Sequence, residues 1–383
     1  MAYMKDSTGR RLDSFAVTPQ DAPPYAPATR MNSFNAARSV YNFKQSNTAR
    51  VRAKLALART GTGTCKLQAG PADSMTAGQT SDPATLSWPV LLRKALASSG
   101  IPVTSAGVVF TTTATPRDSR WALTGFTDFG NAFNFVQATS IGAKATYTPV
   151  TGDPTGALLD IWILGGGGEV SIKIDGGTAV LWTPPASGSL TPQVRTFSGL
   201  ANTTHTVEIT TTTASATSIV GVRVYGVPGL EVTNAARSGS KTGDWTAAAA
   251  YSLGPVVRTV NGTADGVFIG LLHNDFATGV SVATYKTNLS TIVDTYKTAG
   301  SDVFLTVTPR PNTSIIPTVT WEQYAQAVYE VADSKDVPVI DVAHRFGSYA
   351  SASAQGLMNG DGVHENPAGN AVWEALIFYA LSA

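Results

Sequence analysis

The hydrophobic period of the chain changes twice, and that change limits the folds open to it. Between about residues 101 and 228 apolar residues recur in short strand-length runs, at 158–164, 170–174, 179–182, 204–209 and 219–225. Val170, Ile172 and Ile174 alternate with polar neighbours, as do Val207 and Ile209, and Asp175-Gly176-Gly177 is a hairpin signal. With several short strands and no helical pattern among them, this stretch reads as a β-sandwich of roughly 120 residues.

On either side the pattern alternates between helix and strand. Asn47 can cap a helix carrying Val51, Leu55 and Leu57, which Gly61-Thr62-Gly63 ends; a strand over 65–70 and a helical pattern over 88–97 follow. After Val232 come a strand at 266–272, a helix marked by Val282, Tyr285, Leu289, Ile292 and Tyr296, a strand at 303–307, a helix marked by Tyr324, Val328 and Val331, and a strand at 337–342. A last helix carries Val372, Trp373, Leu376, Ile377 and Leu381, with Asn366 as its cap and Pro367 as its first residue. Such alternation predicts a three-layer α/β/α domain with a parallel sheet, built from 46–100 and 231–383 and interrupted by a β-sandwich over 101–230. Residues 1–45, punctuated by Pro19, Pro23, Pro24 and Pro27, read as an extended arm.

Only 14% of the residues are charged and the formal net charge is +1, so no basic surface for a phosphate backbone is expected and nucleic acid is a poor partner. The single Cys65 excludes an internal disulfide framework and a cysteine-cluster metal site. No window approaches the ~18 apolar residues of a membrane span, and no apolar run follows Met1 to Arg11 as a secretory signal requires.

The chemistry starts from four histidines. His205 falls on an alternating strand and His344 follows a strand beside Arg345, so both read as structural; His273 stands at a strand end before Asn274-Asp275, where a site role is plausible. His364 follows Asp361 by three positions on a glycine-containing loop, a spacing that can set a carboxylate under one imidazole nitrogen and leave the other free to take a proton. For a nucleophile, Ser74 directly follows Asp73 after the first α/β strand, and reactive groups of open α/β sheets gather beyond the carboxyl ends of strands. Taken alone, each has a plainer reading: Asp73-Ser74 as a helix cap, Asn274-Asp275 as a turn or cap, Asp-x-x-His as a chance loop.

Together, Asp73-Ser74-x-Thr76, Gly239 within Ala236-Arg237-Ser238-Gly239-Ser240, Asn274-Asp275 and Asp361-x-x-His364 resemble, in kind and order, the SGNH (GDSL-type) hydrolases. The resemblance covers about 46–100 and 231–383. It implies Ser74 as nucleophile, His364 and Asp361 as the rest of a catalytic triad, and Ser74, Gly239 and Asn274 as the oxyanion hole, with no metal and no organic cofactor. Ala72 stands where the family usually has glycine before Asp-Ser, and Leu272 where it has the glycine of Gly-x-Asn-Asp; Ala72 is a mild change, whereas Leu272 is expected to reshape the wall beside the oxyanion hole.

Two further resemblances bear on setting. The opening, residues 3–15, looks like the start of minor tail proteins of phages that infect actinobacteria, which implies a virion-tail, extracellular location with other tail proteins as partners. Residues 204–209 are similar to a strand common in carbohydrate-binding jelly rolls, so the inserted sandwich is a candidate carbohydrate-binding module, although Trp121, Trp162 and Trp182 are expected to serve its core. The implied activity is serine-esterase removal of O-acyl or O-acetyl groups from a host cell-envelope glycan or other acylated saccharide. The alternative is a receptor-binding tail module with weak or lost hydrolysis. A homo-oligomer is compatible with the sequence, which does not fix one.

Overall fold

In the computed structural model the structure describes residues 34–35, 39–113, 117–129, 134–186, 190–312 and 321–382. The tail-like opening at residues 3–15 lies outside them. Five parallel strands form the body of the α/β sheet, in the order Leu230–Asn234, Cys65–Ala72, Gly266–Gly270, Asp302–Val307, Val339–Asp341, and the short Val103–Ser105 pairs parallel outside Leu230–Asn234. The first of the five in the chain, Cys65–Ala72, lies between the second and the third, so the order reverses at its end, where open α/β sheets build their clefts. Gly266–Gly270 is buried along its whole length, as a strand covered on both faces must be.

Helices cover both faces. Val282–Thr298 turns Tyr285, Leu289, Ile292, Val293 and Tyr296 into one apolar core together with Trp321–Lys335, whose buried face includes Tyr324, Val328 and Val331. Ala49–Arg59, Trp88–Ser98 and Pro367–Ser382 close the other face, where Trp88 stacks on Trp373 with ring centres 5.9 Å apart. The last helix starts as expected: the Asn366 side chain accepts from the N–H groups of Ala368 (2.9 Å) and Gly369 (3.1 Å). The first helix does not, because Thr48 holds its cap position while Asn47 accepts from Lys44 N and donates to Asn42 O.

The end of the expected arm belongs to the sheet. Val40–Tyr41 pairs antiparallel with Val339–Asp341 on one side and with Phe34–Asn35 on the other, Tyr41 is fully buried, and Tyr41 Oη donates to Asp333 at 2.5 Å. The apolar pair Val40-Tyr41 is too short to show a period, so the sequence offered no strand signal there.

The intervening stretch forms two packed layers. One is an antiparallel five-stranded sheet in the order Val180–Trp182, Val170–Ile174, Val207–Thr211, Lys144–Tyr147, Trp121–Thr124. The facing strands, among them Leu158–Leu164 and Thr217–Tyr225, are not a separate sheet: Tyr225 pairs with Ser105, and Val103–Ser105 in turn pairs with Leu230–Asn234, so hydrogen bonding runs on into the α/β sheet. Ile161, Ile163 and Val222 meet Val170, Ile172, Val207 and Ile209 in the core between the layers, on the residues that alternate in the sequence. Trp121 lies in that core, Trp182 packs against it, and Trp162 is buried in a smaller cluster with Val256 and Val260.

Candidate active site

Strand Cys65–Ala72 delivers the chain to a single helical turn, Ser74–Ala77, capped at its start by Asp73, whose carboxylate accepts from Met75 N at 3.1 Å. Gly78 ends the turn in the left-handed region (φ 85°), which glycine enters without steric cost. Asp73 is thus the cap that its plainer reading proposed, and capping leaves the Ser74 hydroxyl free for other work. The loop before the last helix comes to the same place. His364 Nε2 is 2.8 Å from Ser74 Oγ, and Nδ1 is 2.7 Å from Asp361 Oδ2. Asp361 Oδ1 accepts from the N–H groups of Val363 and His364, both at 2.9 Å, so the carboxylate is fixed by its own turn.

With Nδ1–H donating to Asp361, Nε2 is left to accept the serine proton. Partial burial works against the charged form of Asp361, but the N–H groups of His364 and Val363 and the imidazole hold it below the usual carboxylate range. The other ionisable groups nearby stay neutral over much of the pH range. Burial pushes Asp73 up to about 7 and Glu365 well above its ordinary range. Burial, with the field of His364, drives His273 down to about 3; its Nδ1 lies 3.0 Å from Thr308 Oγ1. Asp361 is therefore the carboxylate that faces the imidazole in ionised form.

Two backbone donors of the site, the Ser74 and Gly239 N–H groups, have no partner among the described residues, and Gly239 sits at φ 79° with open space around its α-carbon. Asn274 Nδ2 gives one proton to Ser240 O at 3.0 Å and keeps the second. Ser240 ties these parts together: its hydroxyl donates to Ala72 O (3.2 Å) and accepts from Trp245 Nε1 (3.1 Å). Asp275 takes both the N–H (2.9 Å) and the hydroxyl (2.6 Å) of Thr242, which fixes the helix that follows Ser240. Ser240 and Thr242 carry no sequence signal beyond adjacency to Gly239, since a single hydroxyl amid many is unmarked.

The other expectations resolve differently. Leu272 does not form a wall of the site. Its side chain is buried in the core cluster that includes Phe276 and Tyr285. His205 is buried between Asp175 Oδ2 (2.6 Å) and the carbonyls of Gly156 and Ala201, and His344 is buried beside Ser39 Oγ (2.9 Å), so both serve the fold. Among the described residues no group of three or more His, Cys, Asp or Glu side chains is placed to hold a metal ion.

A serine hydroxyl, an imidazole and a carboxylate in line beside two free N–H groups, at the topological switch point of a parallel sheet, define the arrangement of a serine hydrolase. Residues 203–372 match the model of the GDSL-like Lipase/Acylhydrolase family, a region that contains Gly239, Asn274, Asp361 and His364 but begins after Ser74. The matched region is under half of the chain, and the likeness to solved structures is one of fold. The chain is similar over 90% of its length to 98% of a structure described as a peptidoglycan O-acetylesterase in action, with 15% identity and a TM-score of 0.68. It also matches a lipase/acylhydrolase from Enterococcus faecalis (22% identity, 39% of this chain and 75% of that one, TM-score 0.32). A family two carbohydrate esterase from Cellvibrio japonicus is a third match (11% identity, 73% and 99%, TM-score 0.30). No curated protein matches the chain in sequence.

Proposed function

We propose that the chain is a serine esterase that removes O-acyl, in particular O-acetyl, groups from a bacterial cell-envelope glycan. The observation that carries the reaction is the His364 ring, whose two nitrogens lie within hydrogen-bond reach of Ser74 Oγ and Asp361 Oδ2. Ser74 Oγ attacks the ester carbonyl carbon as its proton passes to His364 Nε2, and Asp361 stabilises the imidazolium so formed. The oxyanion receives the N–H groups of Ser74 and Gly239 and the second amide proton of Asn274. His364 returns its proton to the sugar oxygen as the C–O bond breaks, leaving an acyl-enzyme on Ser74. A water molecule then gives a proton to His364 as it attacks, and the acid and the Ser74 hydroxyl are released.

The glycan reading draws on the peptidoglycan O-acetylesterase to which the fold is similar and on the cleft beside Ser238, where Ala77, Asn234 and Arg237 of the α/β part face Val109 and Phe110 of the β layers. We read 101–230 as an inserted module that holds the saccharide there.

The test is hydrolysis of a short activated ester together with acetate release from O-acetylated peptidoglycan. Ser74→Ala should lower kcat/KM on both by about 10^4-fold or more, and an organophosphonate should add its mass at Ser74. Undetectable turnover with no adduct would sink the esterase reading and favour a binding-only module; turnover on the simple ester without acetate release would sink the substrate. The Ser74→Ala chain should still sediment with cell walls if 101–230 holds glycan.

We place the protein in a phage tail on the likeness of residues 3–15. Removal of residues 1–33 should abolish incorporation into virions and spare ester hydrolysis; incorporation of the truncated chain would remove the basis for that placement.

A further inference from the structure

A second cavity, of about 220 Å³, opens between the helices Thr242–Thr246, Leu253–Asn261 and Val282–Thr298, at the end of strand Cys65–Ala72. Pro71, Trp245, Pro255, Ile292 and the ring of Tyr296 supply apolar wall, and Arg258 supplies charge. We propose that this cavity is a binding site for a small organic carboxylate with an apolar body, such as a short alkanoate or an aryl carboxylate, held through Arg258. The proposal is independent of the esterase reading.

Arg258 is the feature that needs explaining. Its side chain is half-buried, Nη1 lies over Gly254, and it makes no hydrogen bond or ion pair among the described residues. Four arginines that are more deeply enclosed each lie against a carboxylate: Arg93 on Asp153, Arg120 on Asp118, Arg223 on Asp160 and Arg237 on Asp128. The acids on the elements around Arg258 are already engaged. Asp244 accepts from Lys241 N, Asp275 from Thr242, and Asp294 pairs with Lys335 at 2.6 Å. A half-buried guanidinium in a cavity of mixed lining with no internal anion is open to an anion from outside.

The rest of the lining narrows the class. The hydroxyl protons of Thr246, Thr291 and Thr295 go to the carbonyls of Gly243, Thr287 and Thr291. The cavity thus offers one cation, no free threonine proton and several apolar surfaces. A phosphate dianion or a sugar acid needs more side-chain donors than that, whereas a monocarboxylate with a hydrocarbon body needs one fork and the apolar faces of Pro71, Pro255 and Ile292.

The experiment is a ligand-detected NMR titration of the full chain with sodium hexanoate, with hexanamide as the uncharged isostere and galacturonate as the sugar acid. Hexanoate should bind saturably, hexanamide and galacturonate should not compete, and Arg258→Gln should weaken hexanoate by about tenfold or more, the worth of a charge-assisted hydrogen bond. Thr295→Phe, which keeps Arg258 and fills the cavity, should also abolish binding, and it decides the matter if Arg258→Gln does not fold. No saturable hexanoate binding, equal binding of hexanamide or galacturonate, or unchanged binding in a folded Arg258→Gln or Thr295→Phe chain would overturn the proposal.

Discussion

Behind the histidine that meets Ser74 lies a second one that cannot take its place. His273 is fully enclosed, and burial lowers its pKa from 6.5 to about 3, so the native protein refuses a proton that the unfolded chain accepts. The stability that this neutral ring allows is complete above about 6.5 and is lost as pH falls toward 3. Asp73 acts in the opposite sense: its carboxyl is raised from 3.8 to about 7, so its contribution is complete below 3.8 and is lost as pH rises through 7. Chemical denaturation at a series of pH values should therefore show His273→Gln losing less stability than the parent between pH 6.5 and 4, and Asp73→Asn losing less between pH 4 and 7. Parallel curves for parent and variants would remove both assignments. Asp73 and Asp361 are adjacent in type and setting, yet burial raises the first and a ring of N–H donors lowers the second.

At the scale of elements, the position of His364 depends on how the last helix begins. Asn366 caps that helix with its carbonyl and uses its amide nitrogen on Gly356 O (2.8 Å) and Met358 O (3.3 Å), joining the helix start to the preceding turn. Asn359 N donates to His364 O at 2.7 Å, so the imidazole is carried on a loop anchored at both ends. Asn366→Ala should cost about 1–2 kcal/mol in urea unfolding and lower kcat with little change in KM; Asn366→Asp, which keeps the cap and loses the donor, should fall between. A variant as stable and active as the parent would mean that the loop is held elsewhere. This anchoring was legible, because cap, proline and apolar period are local signals that coincide at Asn366-Pro367. The pairs Asp73-Ser74 and Asp361-x-x-His364 are local too, but alone they read as a cap and a loop, and only their order along the chain with Gly239 and Asn274 set them apart. What escaped was set by distant packing: Val40-Tyr41 becomes a strand because Val339–Asp341 offers an edge, Leu272 turns to the core because Phe276 and Tyr285 wait there, and Ser240 matters because Asn274 and Trp245 converge on it.

For the whole molecule, the two parts that the periodicity separates are bound more tightly than an insertion requires. The sheet continues from Leu230–Asn234 through Val103–Ser105 to Thr217–Tyr225, and helix Leu253–Asn261 packs Val256 and Val260 against Trp162 and Leu164 of the β layers. A buried ion cluster crosses the same boundary. Asp153 of the β layers lies between Arg93 of helix Trp88–Ser98 (3.1 Å) and Arg120 (3.3 Å), and Arg120 is completed by Asp118 at 2.6 Å. Two guanidiniums and two carboxylates balance in charge, so the cluster tolerates burial only while it is whole. Asp153→Ala leaves two enclosed cations with one anion and should destabilise the fold by about 3–5 kcal/mol. Because the boundary is shared, calorimetry should show the parent unfolding in one transition, and Asp153→Ala should move that transition down as a unit. Two separated transitions in the parent, or a variant in which only one part melts early, would mean that the β layers fold on their own and that the shared strands and ions are incidental to stability.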